Sequence, residues 1–116
     1  MTVTIYHNPG CSNSRKALEP IRERGLKPVV VEYLKTPLNR GDLEALVGKV
    51  GVPLRDLMRS KEAVYAELNL ASAGDDALLD ALVAHPVLLN RPIVVTPKGA
   101  RLCRPGETVL ELLWRR

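Results

Sequence analysis

Aromatic residues are scarce in this chain of 116 residues: phenylalanine is absent, and aromatic side chains make up 3% of the total. Hydrophobic residues still reach 46% and charged residues 26%, which is the balance of a globular domain. The length suffices for one hydrophobic core but not for two. We therefore expect a single domain over residues 1–116 whose core consists of leucine, valine, isoleucine and alanine.

Long apolar runs and cysteine motifs are also missing. No run approaches the roughly 20 apolar residues of a membrane span, and we expect no signal peptide because the chain passes directly into a predicted strand. The two cysteines form no Cys-x-x-Cys pair and the histidines do not cluster, so we expect neither a disulfide framework nor a bound metal. A reduced, cytoplasmic setting without membrane association fits this pattern.

The excess of positive charge is small. The formal net charge is +4, and the basic residues are spread along the chain. Such a balance suits a small anionic substrate, but it is too diffuse to indicate binding of nucleic acid.

The most informative stretch is Tyr6–Arg15, with the sequence Tyr-His-Asn-Pro-Gly-Cys-Ser-Asn-Ser-Arg. It follows an apolar run that predicts a buried strand, contains a turn at Pro9 and Gly10, and leads into a predicted helix. Cys11 therefore falls in the first helical turn, where unpaired N–H groups and the helix dipole favour an anion. Since its neighbours are polar or small, we interpret Cys11 as a nucleophilic thiolate rather than as a buried structural cysteine.

The first half of the chain predicts a βαβ unit. After the strand at 3–6, a helix carries its apolar residues on one side and ends at Arg24, with Gly25 as the residue after the cap. Pro20 lies inside this helix and predicts a kink or an early end. The nearly continuous apolar run over 29–33 is typical of an interior parallel strand.

The middle of the chain predicts helices and no strand. Asn39 and Asp42 can form a capping box for a helix that ends at Gly51. Further helical segments are predicted over 53–59, around residues 64–68, and from Asp75 to the His-Pro pair at 85–86. The apolar residues expected to face inward are Leu43, Leu46, Val47, Val50, Leu54, Leu57, Met58, Val64, Tyr65, Leu68, Leu78, Leu79, Leu82 and Val83.

The end of the chain predicts a hairpin and a final helix. Strands are expected over 93–96 and 100–103, with a turn at 97–99 between them. The final helix follows Pro105 and directs Val109, Leu110, Leu112 and Leu113 inward. The order βαβ, helices, ββα predicts an α/β, thioredoxin-like fold: a mixed four-stranded sheet with a helical insertion at about 39–90 between its two halves.

Six short motifs resemble those of the glutaredoxin-coupled arsenate reductases, in the same order and with similar spacing over nearly the whole chain. They are Tyr6-His7-Asn8-Pro9-x-Cys11-x-x-Ser14-Arg15, Tyr33-Leu34-x-Thr36-Pro37, Leu57-Met58-Arg59, His85-Pro86, Asn90-Arg91-Pro92-Ile93-Val94-Val95 and Arg101-Leu102-Cys103-Arg104-Pro105.

This resemblance implies a thioredoxin-like fold, a nucleophile at Cys11, and an oxyanion held by Arg59, Arg91 and Arg104. It implies reduction of arsenate to arsenite with glutathione and glutaredoxin as reductants, so that glutathione is a co-substrate and no cofactor is bound. It also suggests a cis peptide bond before Pro92.

Three further residues have open roles. His7 either lowers the pKa of Cys11 or relays a proton, or it is a hydrogen-bonded loop residue. Ser14 stands where a dithiol enzyme has its second cysteine; it either donates to the thiolate or caps the helix. Arg15 either reaches the anion or is exposed, and Cys103 is expected to be structural.

Two rival functions fit parts of the pattern. One is a glutathione-dependent thiol reductase of the same fold without arsenate activity. The other is a regulator that binds RNA polymerase, but such regulators typically use a Cys-x-x-Cys switch, which Ser14 removes. Tyrosine phosphatases and the related class of arsenate reductase need Cys-x5-Arg, and Ala17 stands at the arginine position.

Overall fold

The computed structural model describes residues 2–113. Contacts divide them into two compact units: the first runs up to Thr36 and resumes at Arg91, and the second spans Pro37–Asn90. The strands and α-helices are β1 Thr4–Tyr6, α1 Ser12–Glu23, β2 Val29–Val31, α2 Arg40–Val50, α3 Ala63–Glu67, α4 Asp75–Ala84, β3 Ile93–Thr96 and β4 Gly99–Leu102. Short 3₁₀ helices span Leu54–Leu57, Leu70–Ser72, Pro86–Leu88 and Gly106–Leu112.

The first unit contains a mixed four-stranded sheet in the order β2-β1-β3-β4. β1 pairs with β2 in parallel and with β3 antiparallel, and β3 pairs antiparallel with β4. The expectation of an interior β2 is wrong, because β2 lies at the edge and Val29 is 54% exposed. β2 also ends before Tyr33, since the N–H groups of Lys35 and Thr36 both donate to the Glu32 carbonyl and turn the chain.

Helix α1 packs one face into the core of this unit. Its buried residues, Ser14, Ala17, Leu18 and Ile21, follow helical spacing and meet the core residues of β1 and β3. The helix continues past Pro20 to Glu23, so the early end that Pro20 predicts does not occur. Gly25, at φ +74°, follows the cap as expected.

The second unit is helical, as predicted. Asn39 and Asp42 form the expected capping box, and Gly51 ends α2 in the left-handed conformation. The ion pairs of Arg40 with Asp76 and Asp80 join α2 to α4. The predicted inward positions are wrong for Leu68 and Val83, which are exposed, because α3 is only five residues long and Val83 lies in the last turn of α4.

The hairpin and the final helix differ from the prediction in detail. Thr96 pairs with Gly99, so the turn is two residues long and β4 ends before Cys103. The final helix is a 3₁₀ helix, and its period of three buries Gly106, Val109 and Leu112 on one face. Leu110 is consequently exposed, contrary to expectation.

In the part of the chain that the structure describes, two peptide bonds are cis: the predicted one before Pro92, and a second one before Pro105. Among residues 2–113, no helix combines the length and the hydropathy needed to cross a bilayer.

Candidate active site

Cys11 is the N-cap residue of α1, with extended backbone angles of φ −98° and ψ 124°. The preceding turn positions Cys11 through two hydrogen bonds to Asn8. The Cys11 N–H donates to the Asn8 carbonyl at 2.9 Å, and the Gly10 N–H donates to Asn8 Oδ1 at 2.9 Å. The side chain is 8% exposed. The sulfur thus occupies the position from which an ordinary capping oxygen faces the first N–H groups of a helix.

The surroundings of Cys11 favour the thiolate. Burial raises the pKa of the thiol, but the Ser14 N–H, the Arg91 side chain, the Asn13 N–H and the Ser14 hydroxyl act against burial and lower the pKa from 9.0 to about 7. The Ser14 and Asn13 N–H groups belong to the unpaired donors at the start of α1. They favour the thiolate although the sulfur forms no hydrogen bond of capping geometry. Cys11 therefore carries a large thiolate fraction near neutral pH.

Arg91 and Arg104 meet at Cys11. They flank the β3–β4 hairpin, whose antiparallel pairing brings its two ends together: the Cys103 N–H donates to the Pro92 carbonyl at 2.8 Å. Arg104 Nη1 donates to the Arg91 carbonyl at 2.8 Å and lies 3.8 Å from Cys11 Sγ. Arg91 also reaches the sulfur, through the side-chain hydrogen bond that lowers the thiol pKa, so two of the three arginines that the resemblance implies lie beside Cys11.

Arg59 belongs to the second unit. It lies two residues beyond the 3₁₀ helix Leu54–Leu57, and its N–H donates to the Leu88 carbonyl at 2.7 Å. Its guanidinium forms an ion pair with Glu62 at 2.8 Å, in which both side chains are 29% exposed. The role of Arg59 in binding an oxyanion stays a prediction.

The three secondary candidates occupy different environments. Ser14 is fully buried at the third position of α1, so it does not cap the helix; its Oγ accepts from the Asn8 N–H at 3.3 Å. Arg15 is exposed, and its Nη1 donates to the Pro9 carbonyl at 2.7 Å. His7 is buried, and it is not among the groups within residues 2–113 that lower the thiol pKa.

His7 has an imidazole that stays neutral near neutral pH. Burial lowers its pKa most; Glu32 opposes this effect, while Arg22 and Arg15 lower the pKa further. Its Nδ1 has no hydrogen-bond partner in the described part of the chain, whereas its backbone N–H donates to the Val31 carbonyl at 2.8 Å.

Cys103 is a core residue. It is fully buried beside Ile5 and Val109, and burial raises the pKa of its thiol to about 12, against the opposing effect of Arg101. The thiol is therefore protonated under all ordinary conditions, as expected of a structural cysteine.

The chain matches a known protein family. A model of the ArsC family matches residues 6–112. The chain belongs to the ArsC family. Its ArsC relatives include the arsenate reductase of Rhizobium meliloti (strain 1021), which is 53% identical over 115 residues covering 97% of this chain and 82% of that protein. The arsenate reductase of Escherichia coli (strain K12) is 50% identical over 113 residues, which cover 96% of this chain and 80% of that protein.

Solved ArsC structures share the fold. The arsenate reductase from Vibrio cholerae superposes with a TM-score of 0.92 at 46% identity and covers 97% of this chain and 98% of its own. The predicted α/β, thioredoxin-like fold is therefore confirmed.

Asn13 is a contributor at the ArsC site that the sequence did not single out. Its N–H favours the thiolate, and its Oδ1 accepts from the Gly106 N–H at 3.2 Å. The sequence did carry a signal for the N–H of Asn13, because the backbone N–H of the second residue after an N-cap regularly donates to the capping atom. The contact with Gly106 is tertiary and has no local signature.

Proposed function

We propose that this chain is an arsenate reductase that uses Cys11 as its single nucleophile and glutathione and glutaredoxin as reductants. The main support is the convergence of Arg91 and Arg104 on a thiol whose pKa is lowered to about 7. The identity of 53% to the arsenate reductase of Rhizobium meliloti supports arsenate as the substrate.

The proposed substrate is an oxyanion of a thiophilic element. Attack at arsenic needs an ionised sulfur and cations that hold the oxygens, and arginine suits this work because its planar guanidinium donates two parallel hydrogen bonds. In the proposed complex Arg91, Arg104 and Arg59 bind the arsenate oxygens. Ser14 and the helix N–H groups, together with Arg91, favour the ionised nucleophile.

The electrons balance with one protein thiol. The Cys11 thiolate forms a bond to As(V), and hydroxide leaves and is protonated to water. A glutathione thiolate then attacks the Cys11 sulfur, the sulfur–arsenic bond breaks with its electron pair on arsenic, and As(III) departs as arsenite. Glutaredoxin takes the glutathionyl group from the mixed disulfide and restores the Cys11 thiolate. A reducing cytoplasm supplies these thiols.

A coupled assay tests this proposal. Arsenate-dependent oxidation of NADPH is measured in the presence of glutathione, glutaredoxin and glutathione reductase. Cys11→Ser should abolish the activity, whereas Cys103→Ala, which removes the other thiol, should retain it. Full activity of Cys11→Ser, or no arsenate-dependent oxidation by the wild type, would refute the proposal.

The same assay tests the arginines one at a time. Arg59→Ala and Arg104→Ala should each raise the KM for arsenate about 10-fold or more, because each loses a charged hydrogen-bonding group worth about 1.5–3 kcal/mol. Arg101→Ala removes the same charge from the exposed side chain that pairs with Glu111, and it should leave the KM unchanged. An unchanged KM for Arg59→Ala would remove that residue from the proposed site.

A further inference from the structure

Arg104 belongs to a short exposed segment between two buried residues. Arg104 and Pro105 are exposed, so packing does not fix where the guanidinium lies. Cys103 and Gly106, on either side of them, are buried. The Cys103 end is held at the start of the hairpin, because its N–H donates to the Pro92 carbonyl at 2.8 Å. The position of Arg104 therefore depends on what holds the Gly106 end.

The Gly106 end is held by the side chain of Asn13. Gly106 is the first residue of the 3₁₀ helix Gly106–Leu112, so its N–H cannot be paired within that helix. Asn13 Oδ1 accepts from this N–H at 3.2 Å. Because buried N–H groups in folded proteins are almost always paired, loss of the Asn13 oxygen would force the Gly106 end to move.

Asn13 also lies next to the reactive sulfur. It is the second residue of α1, separated from the N-cap Cys11 by one residue. Arg104 Nη1 lies 3.8 Å from Cys11 Sγ and donates to the Arg91 carbonyl at 2.8 Å. The hydrogen bond between Asn13 and Gly106 therefore joins the segment that carries Arg104 to the helical turn that follows Cys11.

We propose that the Asn13 side chain is a positioning residue for Arg104: by accepting from the Gly106 N–H, it keeps the Arg104 guanidinium beside the Cys11 sulfur, where an oxyanion binds. That this oxyanion is arsenate rests on the proposed function. The side chain differs in its role from the Asn13 N–H, which favours the thiolate directly and is retained when alanine replaces the residue. The Asn13 side chain thus acts on the bound anion through Arg104.

The first experiment measures the charge around the sulfur without arsenate. Cys11 is alkylated with iodoacetate, which is an anion, and with iodoacetamide, which is neutral, and the ratio of the two rate constants is determined. Both reagents react with the thiolate, so the ratio cancels the thiolate fraction and reports how strongly nearby cations attract the anion. Cys103 does not contribute, because it is buried and its thiol pKa is about 12.

Three variants show whether Asn13 acts through Arg104. Arg104→Ala should lower the alkylation ratio about twofold or more, which is the size expected for the loss of one exposed charge pair. Asn13→Ala should also lower the ratio although it removes no charge, and α1 should persist because alanine favours helices. The double variant should have the ratio of Arg104→Ala alone, since two residues that act through one contact are not additive.

Asn39→Ala is the matched control for Asn13→Ala. It removes a side-chain oxygen that accepts from the Asp42 N–H at 2.8 Å, so it loses a hydrogen bond of the same kind. Asn39 lies in the second unit and has no contact with the segment that carries Arg104. Its alkylation ratio should equal that of the wild type.

The coupled assay tests the same role during catalysis. Asn13→Ala should raise the KM for arsenate about threefold or more, because the guanidinium that holds the anion is misplaced. The double variant should have the KM of Arg104→Ala, and Asn39→Ala should have the wild-type KM. A mere loss of folded protein would instead lower the apparent kcat and leave the KM unchanged.

The outcomes separate this inference from the proposed reaction. A wild-type alkylation ratio for Asn13→Ala or for Arg104→Ala would overturn the inference, and so would a double variant whose ratio falls by the product of the two single effects. If the ratios are as expected but the wild type does not reduce arsenate, the positioning role stands and the arsenate reaction fails. If arsenate is reduced and Asn13→Ala keeps the wild-type KM, the positioning role fails instead.

Discussion

At the scale of single residues, the Cys11 sulfur is subject to two opposing effects. Burial disfavours a charge on it, while the helix N–H groups, Arg91 and Ser14 favour that charge and prevail, so the pKa falls from 9.0 to about 7. About half of the thiol is therefore ionised at pH 7, compared with about one part in a hundred at the ordinary value. The thiolate fraction grows as the pH rises through 7 and is lost as the pH falls below it.

Ser14→Ala should shift this ionisation upward. The substitution removes the hydroxyl that favours the thiolate, so the pKa of Cys11 should rise above its wild-type value of about 7. The rate of alkylation by iodoacetamide, measured from pH 5 to 10, reports this pKa without involving substrate. Ser12→Ala, an exposed serine in the same helical turn, is the matched control and should keep the wild-type profile. Identical profiles for both variants would remove Ser14 from the site.

The sequence predicted part of this site for physical reasons that act locally. A cysteine between a turn and a helix is at the helix N-terminus whatever the rest of the chain does, so the thiolate at Cys11 could be predicted. The meeting of Arg91 and Arg104 could not be predicted from spacing, because it depends on the β3–β4 pairing that joins their backbones. The ion pair of Arg59 with Glu62 is local, but nothing in the sequence selects it over other neighbouring charges.

At the scale of elements, α1 and the 3₁₀ helix Gly106–Leu112 are in close contact at one glycine. A Cβ atom on Gly106 would lie 2.4 Å from the Asn13 carbonyl oxygen and 2.9 Å from the Ala17 nitrogen, both of which are backbone atoms. Glycine is thus the only kind of residue that lets the two elements approach as they do. The start of α1, and with it Cys11, is positioned by this contact.

Gly106→Ala should destabilise the protein by about 2–3 kcal/mol, because the backbone of one element has to move away from the other. Urea denaturation followed by circular dichroism measures the change. Gly48→Ala is the matched control: Gly48 lies within α2, and a Cβ atom added there would meet open space, so alanine should stabilise by about 0.5–1 kcal/mol. Equal effects of the two substitutions would show that the approach at Gly106 is not tight.

The elements themselves were largely predictable from apolar periodicity and capping residues. Asn39, Asp42 and Gly51 fix both ends of α2 through local hydrogen bonds and one backbone angle, so that helix could be located from the sequence. The edge position of β2 could not, since an apolar run looks the same whichever strands lie beside it. The 3₁₀ geometry of the final helix also escaped prediction, because its period of three differs too little from 3.6 over seven residues.

At the scale of the whole molecule, the two cysteines experience opposite environments. Cys11, at the start of α1, has a thiol pKa of about 7, whereas Cys103, in the core, has a thiol pKa of about 12. Native protein should therefore react with one equivalent of a thiol-specific reagent such as 5,5′-dithiobis(2-nitrobenzoate) at pH 7.5, and protein unfolded in guanidinium chloride should react with two. Cys11→Ser should react with none while native. Rapid modification of native Cys11→Ser would mean that the core opens readily around Cys103.

The pairing of Cys11 with Arg104 joins positions 93 residues apart, and this separation has a consequence for biosynthesis. While a ribosome is translating the first half of the chain, neither Arg91 nor Arg104 has been made. Gly106, which contacts Asn13, has not been made either. The nascent cysteine therefore lacks the part of the pKa lowering that the Arg91 side chain supplies. The full lowering of its pKa is reached only when translation is nearly complete.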